Sequence, residues 1–228
     1  MTKDSRLMNR TGAIKGVSAE TVAGFLQACH RVAAAGLVRC SSGNLSLRVD
    51  AERLLVTASR SWLSRVTPET IALCRIADGA LLEGGQPSAE IGFHAGILKA
   101  RPEVNIVLHF QTPCATALAC QAPRAIDYFV IPEIPFYIGP IGRVPYLAPG
   151  TEELARAVTD AMREHDLILL ANHGQVTVAR DVEHAIQNAV FFELACEILV
   201  CAGDRVVALP EPEANALLAL RQAAQAKV

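Results

Sequence analysis

The chain has 228 residues, of which 51% are apolar and 19% are charged, and its formal net charge is −2. This composition supplies enough apolar material for a buried core, and we expect one domain rather than two. With no surplus of positive charge, nucleic acid and anionic membranes are excluded as expected partners, and a small molecule or another protein is favoured.

The seven cysteines favour reduced thiols over a disulfide framework. Their number is odd, and five lie in apolar segments that are typical of a core: Cys29, Cys74, Cys120, Cys196 and Cys201. Residues 1–15 are polar, and no segment has the roughly 18 uninterrupted apolar residues of a membrane span. We expect a cytoplasmic protein in which residues 1–16 form a flexible N-terminal arm and residues 17–228 form the domain.

The first half of the chain shows both helical and strand periods. Ser18 is suited to cap a helix whose apolar positions recur with a helical period as far as Gly36. Three strands are then expected over residues 44–49, 53–57 and 71–76, and Asp78-Gly79 is a hairpin turn signal. Ser88 is expected to cap a helix to about Lys99, with Glu90 near its first turn and His94 one turn later on the same face.

The second half continues the alternation of strands and helices. A short buried strand runs over residues 106–109, and an extended backbone there projects His109 and Gln111 to the same side. It is followed by a helix over 151–165, strands over 167–171 and 176–178, and a helix over 181–201. Several short turns force antiparallel pairing. The predicted fold is therefore a single-domain, three-layer α/β/α sandwich with a mixed, mainly antiparallel central sheet.

Four distant segments carry side chains suited to a metal-assisted carbonyl site: Ser41-Ser42-Gly43-Asn44, Pro87-Ser88-Ala89-Glu90, His109-Phe110-Gln111 and Asn172-His173-Gly174. Paired imidazoles can hold a Lewis-acid metal, and a carboxylate can move a proton on carbon. A hydroxyl-bearing turn with glycine can hold an anion. Together these groups are what making or breaking a bond next to a carbonyl requires.

Read in order, the motifs resemble the class II aldolase/adducin family from about Val17 to about Gly203. The matching segments are Gly43-Asn44-Leu45-Ser46, Ser88 with Glu90 and His94, His109, Tyr128, and Leu169-Leu170-Ala171-Asn172-His173-Gly174. The resemblance implies the same class of fold and an enzyme such as fuculose-1-phosphate aldolase or ribulose-5-phosphate 4-epimerase.

The resemblance also implies one divalent metal ion per chain, held at the positions of His109, Gln111 and His173. Glutamine stands where the family has a histidine, and a neutral amide oxygen is a weaker zinc donor than imidazole. The site should therefore bind metal more weakly, recruit Glu90 or water, or prefer a harder metal. Zinc is the expected ion and manganese the alternative. Judged alone, each histidine could instead be a structural residue at a strand end.

Two residues match the family's catalytic groups. Glu90 corresponds to the glutamate that moves the proton next to the carbonyl, and Tyr128 to a tyrosine that assists the leaving fragment. Glu90 could instead complement a helix dipole, and Tyr128 could be a strand aromatic with a surface hydroxyl. The family aldolase has a further tyrosine near its C-terminus, but residues 211–228 contain none.

The resemblance assigns the substrate anion to a further set of residues: Ser41, Gly43, Asn44, Ser59, Arg60 and Ser88. Arg60 stands where the phosphate aldolases have glycine, and Ala89 replaces a serine. A guanidinium binds phosphate or carboxylate through two parallel hydrogen bonds, so an anionic substrate is still expected in a differently shaped pocket. The alternative for Arg60 is a solvated loop charge.

The predicted function is a metal-dependent lyase of carbohydrate metabolism. It would cleave a C–C bond next to a carbonyl, in retro-aldol fashion through a metal-held enediolate, in a small phosphorylated or carboxylated hydroxy-ketone. A family epimerase, a family decarboxylase and a non-catalytic adducin-like binding module are the alternatives.

The resemblance further implies a homotetramer with the active site at a subunit interface. The proline-rich apolar run over residues 131–138 agrees with this, since it is unlike a central strand and unlike an exposed loop. Burial against a neighbouring chain would explain it, and folding back over its own sheet is the alternative.

Overall fold

A computed structural model describes residues 14–225. Over this range the chain forms α1 (Ala19–Ala34), β1 (Asn44–Arg48), β2 (Arg53–Thr57), β3 (Ile71–Arg75), β4 (Leu81–Gly84), α2 (Ile91–Ala100), β5 (Ile106–Phe110), α3 (Pro113–Ala119), β6 (Ile141–Val144), α4 (Glu152–Ala161), β7 (Leu167–Leu170), β8 (Gly174–Ala179), α5 (Val182–Ala202) and α6 (Glu211–Gln225). A π-helical turn covers Ile134–Ile138, and short 3-10 turns lie at Leu63–Arg65, Pro68–Thr70 and Gly203–Arg205.

The eight strands form one sheet in the order β4-β3-β2-β1-β5-β8-β7-β6. Neighbouring strands pair antiparallel, with the exception of β6 and β7, which are parallel because α4 connects them. The predicted mixed, mainly antiparallel sheet of a single domain is confirmed.

Alternate side chains of each strand point to opposite faces and build two cores. Leu54 and Val56 of β2 pack with α2 and α4 on one face. Leu55, between them, packs with α1, α3 and α5 on the other face. The sheet is therefore the middle layer of an α/β/α sandwich, as predicted.

The helix signals were correct at Ser18 and imprecise at Ser88. The Ser18 hydroxyl accepts from Thr21 N and caps α1. Ser88 is not the cap of α2, because the helix begins later and Glu90 occupies the N-cap position. The helix predicted over 151–165 ends at Ala161, and α3, β6 and α6 were not predicted.

The cysteines are all free thiols, as expected from their number and spacing. Cys29, Cys74 and Cys196 are buried, and burial raises the pKa of each thiol. Cys120 and Cys201 are exposed, so their assignment to the core was wrong. Each ends a helix, where an apolar sequence context does not ensure burial.

The apolar run over residues 131–138 folds largely over its own chain. Ile134 and Ile138 are fully buried in the core that α5 covers, while Tyr137 remains 41% exposed and stacks on Phe191. The alternative that this run covers its own sheet therefore holds for Ile134 and Ile138.

Two features concern the ends of the chain and the longest helix. Of the predicted arm over residues 1–16, residues 1–13 lie outside the described range, while Ile14 is buried against the core. The segment from Val182 to Arg205 is long and apolar enough to match a membrane span by length and composition. Its residues Ala185, Ala189 and Phe192 are buried against the sheet, as in a core helix of a globular domain.

Candidate active site

The candidate site lies at one edge of the sheet, where several strand ends meet. The first residue of β1, Asn44, pairs with His109 near the end of β5. On the other side of β5, Phe110 pairs with Gln175 at the start of β8. The order β1-β5-β8 thus places the turns before β1 and β8 beside the end of β5.

Two glycines allow this close approach. A Cβ on Gly43, which has a φ of +74°, would lie 2.7 Å from the His109 carbonyl oxygen. A Cβ on Gly174 would lie 2.7 Å from the Phe110 carbonyl oxygen and 3.0 Å from His109 Cε1. Any larger residue would push the strands apart, so both positions require glycine for packing.

Glu90, His109 and His173 form a compact group of possible metal ligands, with their donor atoms within 4.8 Å of one another. His109 Nε2 lies 3.6 Å from Glu90 Oε2, and His173 Nε2 lies 3.4 Å from Glu90 Oε1. Donor atoms around a tetrahedral zinc ion are about 3.3 Å apart, given the usual zinc–nitrogen and zinc–oxygen bond lengths. The spacing of these side chains therefore suits a divalent ion.

The protonation states also suit a metal. The Nδ1–H of His109 donates to the Gln175 carbonyl oxygen at 2.9 Å, which leaves the Nε2 lone pair directed at the group. Burial and His109 lower the pKa of His173, which favours the neutral imidazole. Burial alone would raise the pKa of Glu90, but His109, the Asn44 hydrogen bond and the other histidines outweigh it and leave that pKa below its ordinary value.

Within the described part of the chain, two buried polar atoms of this group have no hydrogen-bond partner. They are Oε1 of Glu90 and Nδ1 of His173. The other ring nitrogen of His173, Nε2, faces Glu90. An unpartnered carboxylate oxygen is costly inside a protein unless a ligand or ion satisfies it. Together with the donor spacing, this atom indicates that the residues fit a metal ion.

A second group of polar side chains lies directly behind Glu90. Asn44 Nδ2 donates to Glu90 Oε2 at 2.8 Å, and the Asn44 amide oxygen contacts His94 Nε2. The other ring nitrogen of His94 contacts the Ser46 hydroxyl at 2.7 Å. Along β1, Asn44 and Ser46 alternate with leucines, a pattern typical of a half-buried strand. The polar face is nevertheless covered by α2, and both Asn44 and Ser46 are buried.

A short antiparallel pairing beyond β2 joins two of the segments that were expected to bind an anion. Ser59 N donates to the Gln86 carbonyl oxygen at 2.8 Å, and Ser88 N donates to the Thr57 carbonyl oxygen at 3.1 Å. This pairing sets Ser88 opposite Thr57 and Ser59 opposite Gln86, and Arg60 follows Ser59 in the next turn. Ser88 is two residues before Glu90. Ser41 and Gly43 precede Asn44 directly, and Asn44 contacts Glu90.

Three non-glycine residues have a left-handed backbone: Cys40, Arg60 and Asn172. All three lie in the turns that surround the candidate site. This conformation costs a non-glycine residue about 1–2 kcal/mol, and such strain is often found at functional sites. For Arg60, which has a φ of 61°, it agrees with the glycine that the resemblance expects there.

Gln111 and Tyr128 differ in how closely they approach this group. A Cβ on Gly174 would lie 2.8 Å from Gln111 Cγ, so the Gln111 side chain runs past His109 and the His173–Gly174 turn. The Tyr128 ring packs on Phe192 of α5 at 5.3 Å between centroids, and burial raises its pKa to about 12. No hydrogen bond within residues 14–225 joins its hydroxyl to Glu90.

Cleft size does not locate the site. The larger cleft, of about 510 Å³, lies at the opposite edge of the sheet. Its charged groups are mostly paired with one another, with Asp166 held between Arg101 and Arg221. A smaller cavity of about 180 Å³ borders Ala89 and Glu90, between the beginnings of α2 and α4. Neither of these two cavities is lined by His109 or His173, so the chemistry of the side chains, and not cavity size, locates the site.

The variant Gln111→His should bind zinc about tenfold more tightly than the wild type, or better, because imidazole is a stronger zinc donor than an amide oxygen. Competition with a coloured chelator would measure the dissociation constant. Gln121→His, on the exposed end of α3, is the control and should leave it unchanged. Equal or weaker affinity for Gln111→His would mean that position 111 does not face the metal.

Comparisons with known proteins identify relatives of this chain. Residues 23–200 match the family described as the class II aldolase and adducin N-terminal domain. The chain is 30% identical over 175 residues to the 3-oxo-tetronate 4-phosphate decarboxylase of Escherichia coli strain K12, which covers 75% of this chain and 82% of the relative. It is 31% identical over 172 residues to the L-fuculose phosphate aldolase of Methanococcus vannielii, covering 75% and 91%.

Among solved structures, the chain is similar to YgbL of Escherichia coli, which is described as an aldolase, epimerase or decarboxylase. The TM-score is 0.81 at 26% sequence identity, and the match covers 87% of this chain and 98% of YgbL. The fold is therefore shared along nearly the whole length of that protein.

Proposed function

The chain belongs to the class II aldolase and adducin family, and from this membership we propose that it is a divalent-metal-dependent lyase acting on a small phosphorylated or carboxylated hydroxy-ketone. The proposed reaction breaks a C–C bond next to the carbonyl. Its named relatives are aldolases and decarboxylases, and the chain is accordingly an enzyme of lyase type. The family resemblance and the free thiols support a cytoplasmic enzyme of carbohydrate metabolism.

One observation carries this proposal: Glu90, His109 and His173 converge with suitable donor spacing at a buried strand edge. His109 and His173 would hold the metal, with Gln111 or Glu90 as a further contact. Zinc is the ion we propose, and manganese the alternative. When bound, such a metal supplies Lewis-acid polarisation of the substrate carbonyl oxygen. The intact group also argues against a binding module without activity.

Glu90 is the group that would move the proton. Its lowered pKa makes it a carboxylate at neutral pH, and Asn44 holds one of its oxygens. The other oxygen, Oε1, has no hydrogen-bond partner among residues 14–225 and would exchange a proton at the carbon next to the carbonyl. Asn44 leaves that oxygen unobstructed. In retro-aldol cleavage, Tyr128 would exchange a proton with the oxygen of the leaving fragment.

Decarboxylation is the second candidate, and the identity to 3-oxo-tetronate 4-phosphate decarboxylases favours it. Loss of CO2 from a 3-oxo acid breaks a C–C bond at the same distance from the carbonyl as retro-aldol cleavage does. The electron pair of the broken bond passes toward the carbonyl oxygen in both reactions. In decarboxylation, Glu90 would take up a proton from water and deliver it to the carbon. Decarboxylation needs no proton transfer at a leaving hydroxyl, so it would not require Tyr128 in that role.

Substrate screening tests both candidates. Purified protein with added zinc or manganese would be incubated with hydroxy-ketone phosphates and with 3-oxo acid phosphates. Aldehyde release indicates aldol cleavage, and CO2 release indicates decarboxylation. Release of neither product under any metal condition, together with unchanged stereochemistry of the substrates, would contradict the proposal.

Arg60 is proposed to bind the substrate anion together with Ser41, Gly43, Asn44, Ser59 and Ser88. Arg60 is exposed in the turn that follows Ser59, and its left-handed backbone fixes the direction of that turn. A phosphate or a carboxylate there would meet hydroxyls, backbone amides and one cation.

The variant Arg60→Gly should raise KM about tenfold or more, because a hydrogen bond to a charged group contributes roughly 1.5–3 kcal/mol. The value of kcat should change little, and stability should not fall, since glycine relieves the left-handed strain. Arg60→Lys, which keeps the charge and the backbone constraint, should raise KM less. Unchanged constants in Arg60→Gly would place the guanidinium on the solvated surface.

We further propose a homotetramer with the active site at the subunit interface. On the outer side of α5, Val190 and Leu194 are each 42% exposed and Val200 is 44% exposed, which leaves an apolar stripe suited to a second copy of the chain. Within its own chain Tyr128 packs on Phe192 and not on Glu90. A catalytic Tyr128 would therefore serve a neighbouring chain.

Light scattering at micromolar concentration should give a mass four times the 24.3 kDa of one chain. Co-expression of the variants Glu90→Gln and Tyr128→Phe should restore part of the activity that each lacks alone, since mixed tetramers contain interfaces with one intact Glu90 and one intact Tyr128. A fully active monomer would refute the shared site.

A further inference from the structure

His94 is a buried imidazole with both ring nitrogens in hydrogen bonds. It lies in α2, one turn after Glu90, and none of its surface is exposed. Nδ1 contacts the Ser46 hydroxyl at 2.7 Å, and Nε2 contacts the Asn44 amide oxygen. Its ring stacks on Phe93 at 4.8 Å between centroids. A histidine that only filled space would not need a specific partner at each nitrogen.

The donors and acceptors in this series of hydrogen bonds can be assigned from the Glu90 carboxylate, where the series ends. The ionised carboxylate of Glu90 can only accept, so the Asn44 group that faces it must be the amide nitrogen. The Asn44 amide oxygen then faces His94 Nε2, which must carry the proton. His94 Nδ1 is therefore unprotonated and carries a lone pair, and the Ser46 hydroxyl donates a hydrogen bond to it.

The result is a directed chain from Ser46 through His94 and Asn44 to Glu90 Oε2. It fixes the Asn44 amide in one of its two orientations, since a flipped amide would set its oxygen against the carboxylate. It thereby fixes which Glu90 oxygen is held and leaves Oε1, 3.4 Å from His173 Nε2, without a partner.

We propose that His94 is a positioning residue that, through Asn44, orients the Glu90 carboxylate for proton transfer. This inference rests on the proposed function in one respect, which is that Glu90 is the group that moves the proton. It also changes the role of Asn44. The amide oxygen and one amide hydrogen of Asn44 are used by His94 and Glu90, which leaves one N–H for a substrate anion.

Two substitutions of similar polarity separate positioning from packing. In glutamine the amide nitrogen is three bonds from Cβ, as Nε2 is in histidine, whereas in asparagine it is two bonds away, as Nδ1 is. His94→Gln should therefore keep the donor to Asn44, and His94→Asn should lose it. Both variants remove the aromatic ring, so a packing role would affect them alike.

We expect kcat to stay within about threefold of wild type in His94→Gln and to fall about tenfold or more in His94→Asn, the range seen when partners behind a reactive ligand are removed. KM and the melting temperature should be similar in the two variants. Equal losses of kcat that follow the loss of stability would make His94 a packing residue and overturn the proposal.

Two measurements decide the inference without substrate or metal. Nitrogen NMR of metal-free wild-type protein with labelled histidine should show His94 as the neutral Nε2–H form at neutral pH. The Nδ1–H form or the imidazolium would overturn the proposal.

Carbon NMR of labelled glutamate, with Glu90→Gln to assign the signal, should show the Glu90 carboxyl resonance unchanged in His94→Gln and shifted in His94→Asn. If both NMR results are obtained while no substrate is turned over, the proposed function fails but the positioning role of His94 is retained. An equal shift of the Glu90 resonance in both variants would contradict that positioning role.

Discussion

Replacing Glu90 by glutamine should lower kcat about 10²- to 10⁴-fold, the usual contribution of a positioned acid or base. Glutamine keeps the shape of the side chain and an oxygen that can accept from Asn44 Nδ2, but it cannot carry the proton at neutral pH. Steady-state kinetics on the substrate found by screening would measure the loss. The KM should change much less than kcat, because the lost interaction belongs to the transition state.

The fold and metal content of Glu90→Gln should remain nearly intact, since His109 and His173 remain and the amide oxygen is still a donor. Glu52→Gln is a suitable control, because Glu52 is an exposed glutamate in the β1–β2 turn at the other edge of the sheet. Its kinetics should equal those of the wild type. If turnover by Glu90→Gln survives within a few-fold, Glu90 is a structural residue and the proton moves elsewhere.

Replacing His173 by alanine should weaken metal binding by about 100-fold or more, because loss of a ligand exceeds the 10- to 100-fold effect of losing its supporting partners. Elemental analysis and a chelator titration would measure occupancy and affinity, and activity should fall with occupancy. His173 is a better probe than His109, which is more deeply buried and bonded to the Gln175 carbonyl oxygen. Replacement of His173 should therefore lower the stability of the fold less than replacement of His109.

His184→Ala is the matched control, since His184 pairs with Asp181 at the exposed beginning of α5. It should retain about one metal ion per chain. In the wild type, acidification should release the metal because protons compete for the ligand nitrogens. The lowered pKa of His173 moves this release to lower pH than for an unperturbed histidine. Wild-type protein that takes up no metal after reconstitution would contradict the metal site.

Much of the local structure was predictable because it depends on short-range periodicity. The cap at Ser18 and the alternation along β1 and β2 each involve a few neighbouring residues. The end of α4 was placed too late, and Cys201 was assigned to the core, because an apolar or helical context does not report whether a neighbouring element covers it. Burial there depends on residues far away in the chain.

Glu90, His109 and His173 were recognisable because each side chain has the chemistry for its role and lies in a motif of the family. Ser46 and Gln175 were missed. Ser46 looked like a solvent-facing strand residue, and Gln175 acts on His109 through its backbone carbonyl oxygen, for which no side chain is a signal. A polar residue directly before a buried strand segment, as at Gln175, is a weak hint at most.

The sequence by itself determined the sandwich class, the family and the types of group at the site, because residue chemistry and periods of two and 3.6 are local properties. Only the tertiary structure decided that Glu90 begins α2 instead of lying in its first turn, that its Oε1 is left without a partner, and that Asn44 and His94 hold the opposite oxygen. Those contacts join residues 46 and 50 positions apart through the pairing of β1 with β5 and the packing of α2 on the sheet. Such long-range pairing depends on many weak contacts in the two cores. Those contacts join distant segments, so the sequence of any one segment cannot predict them.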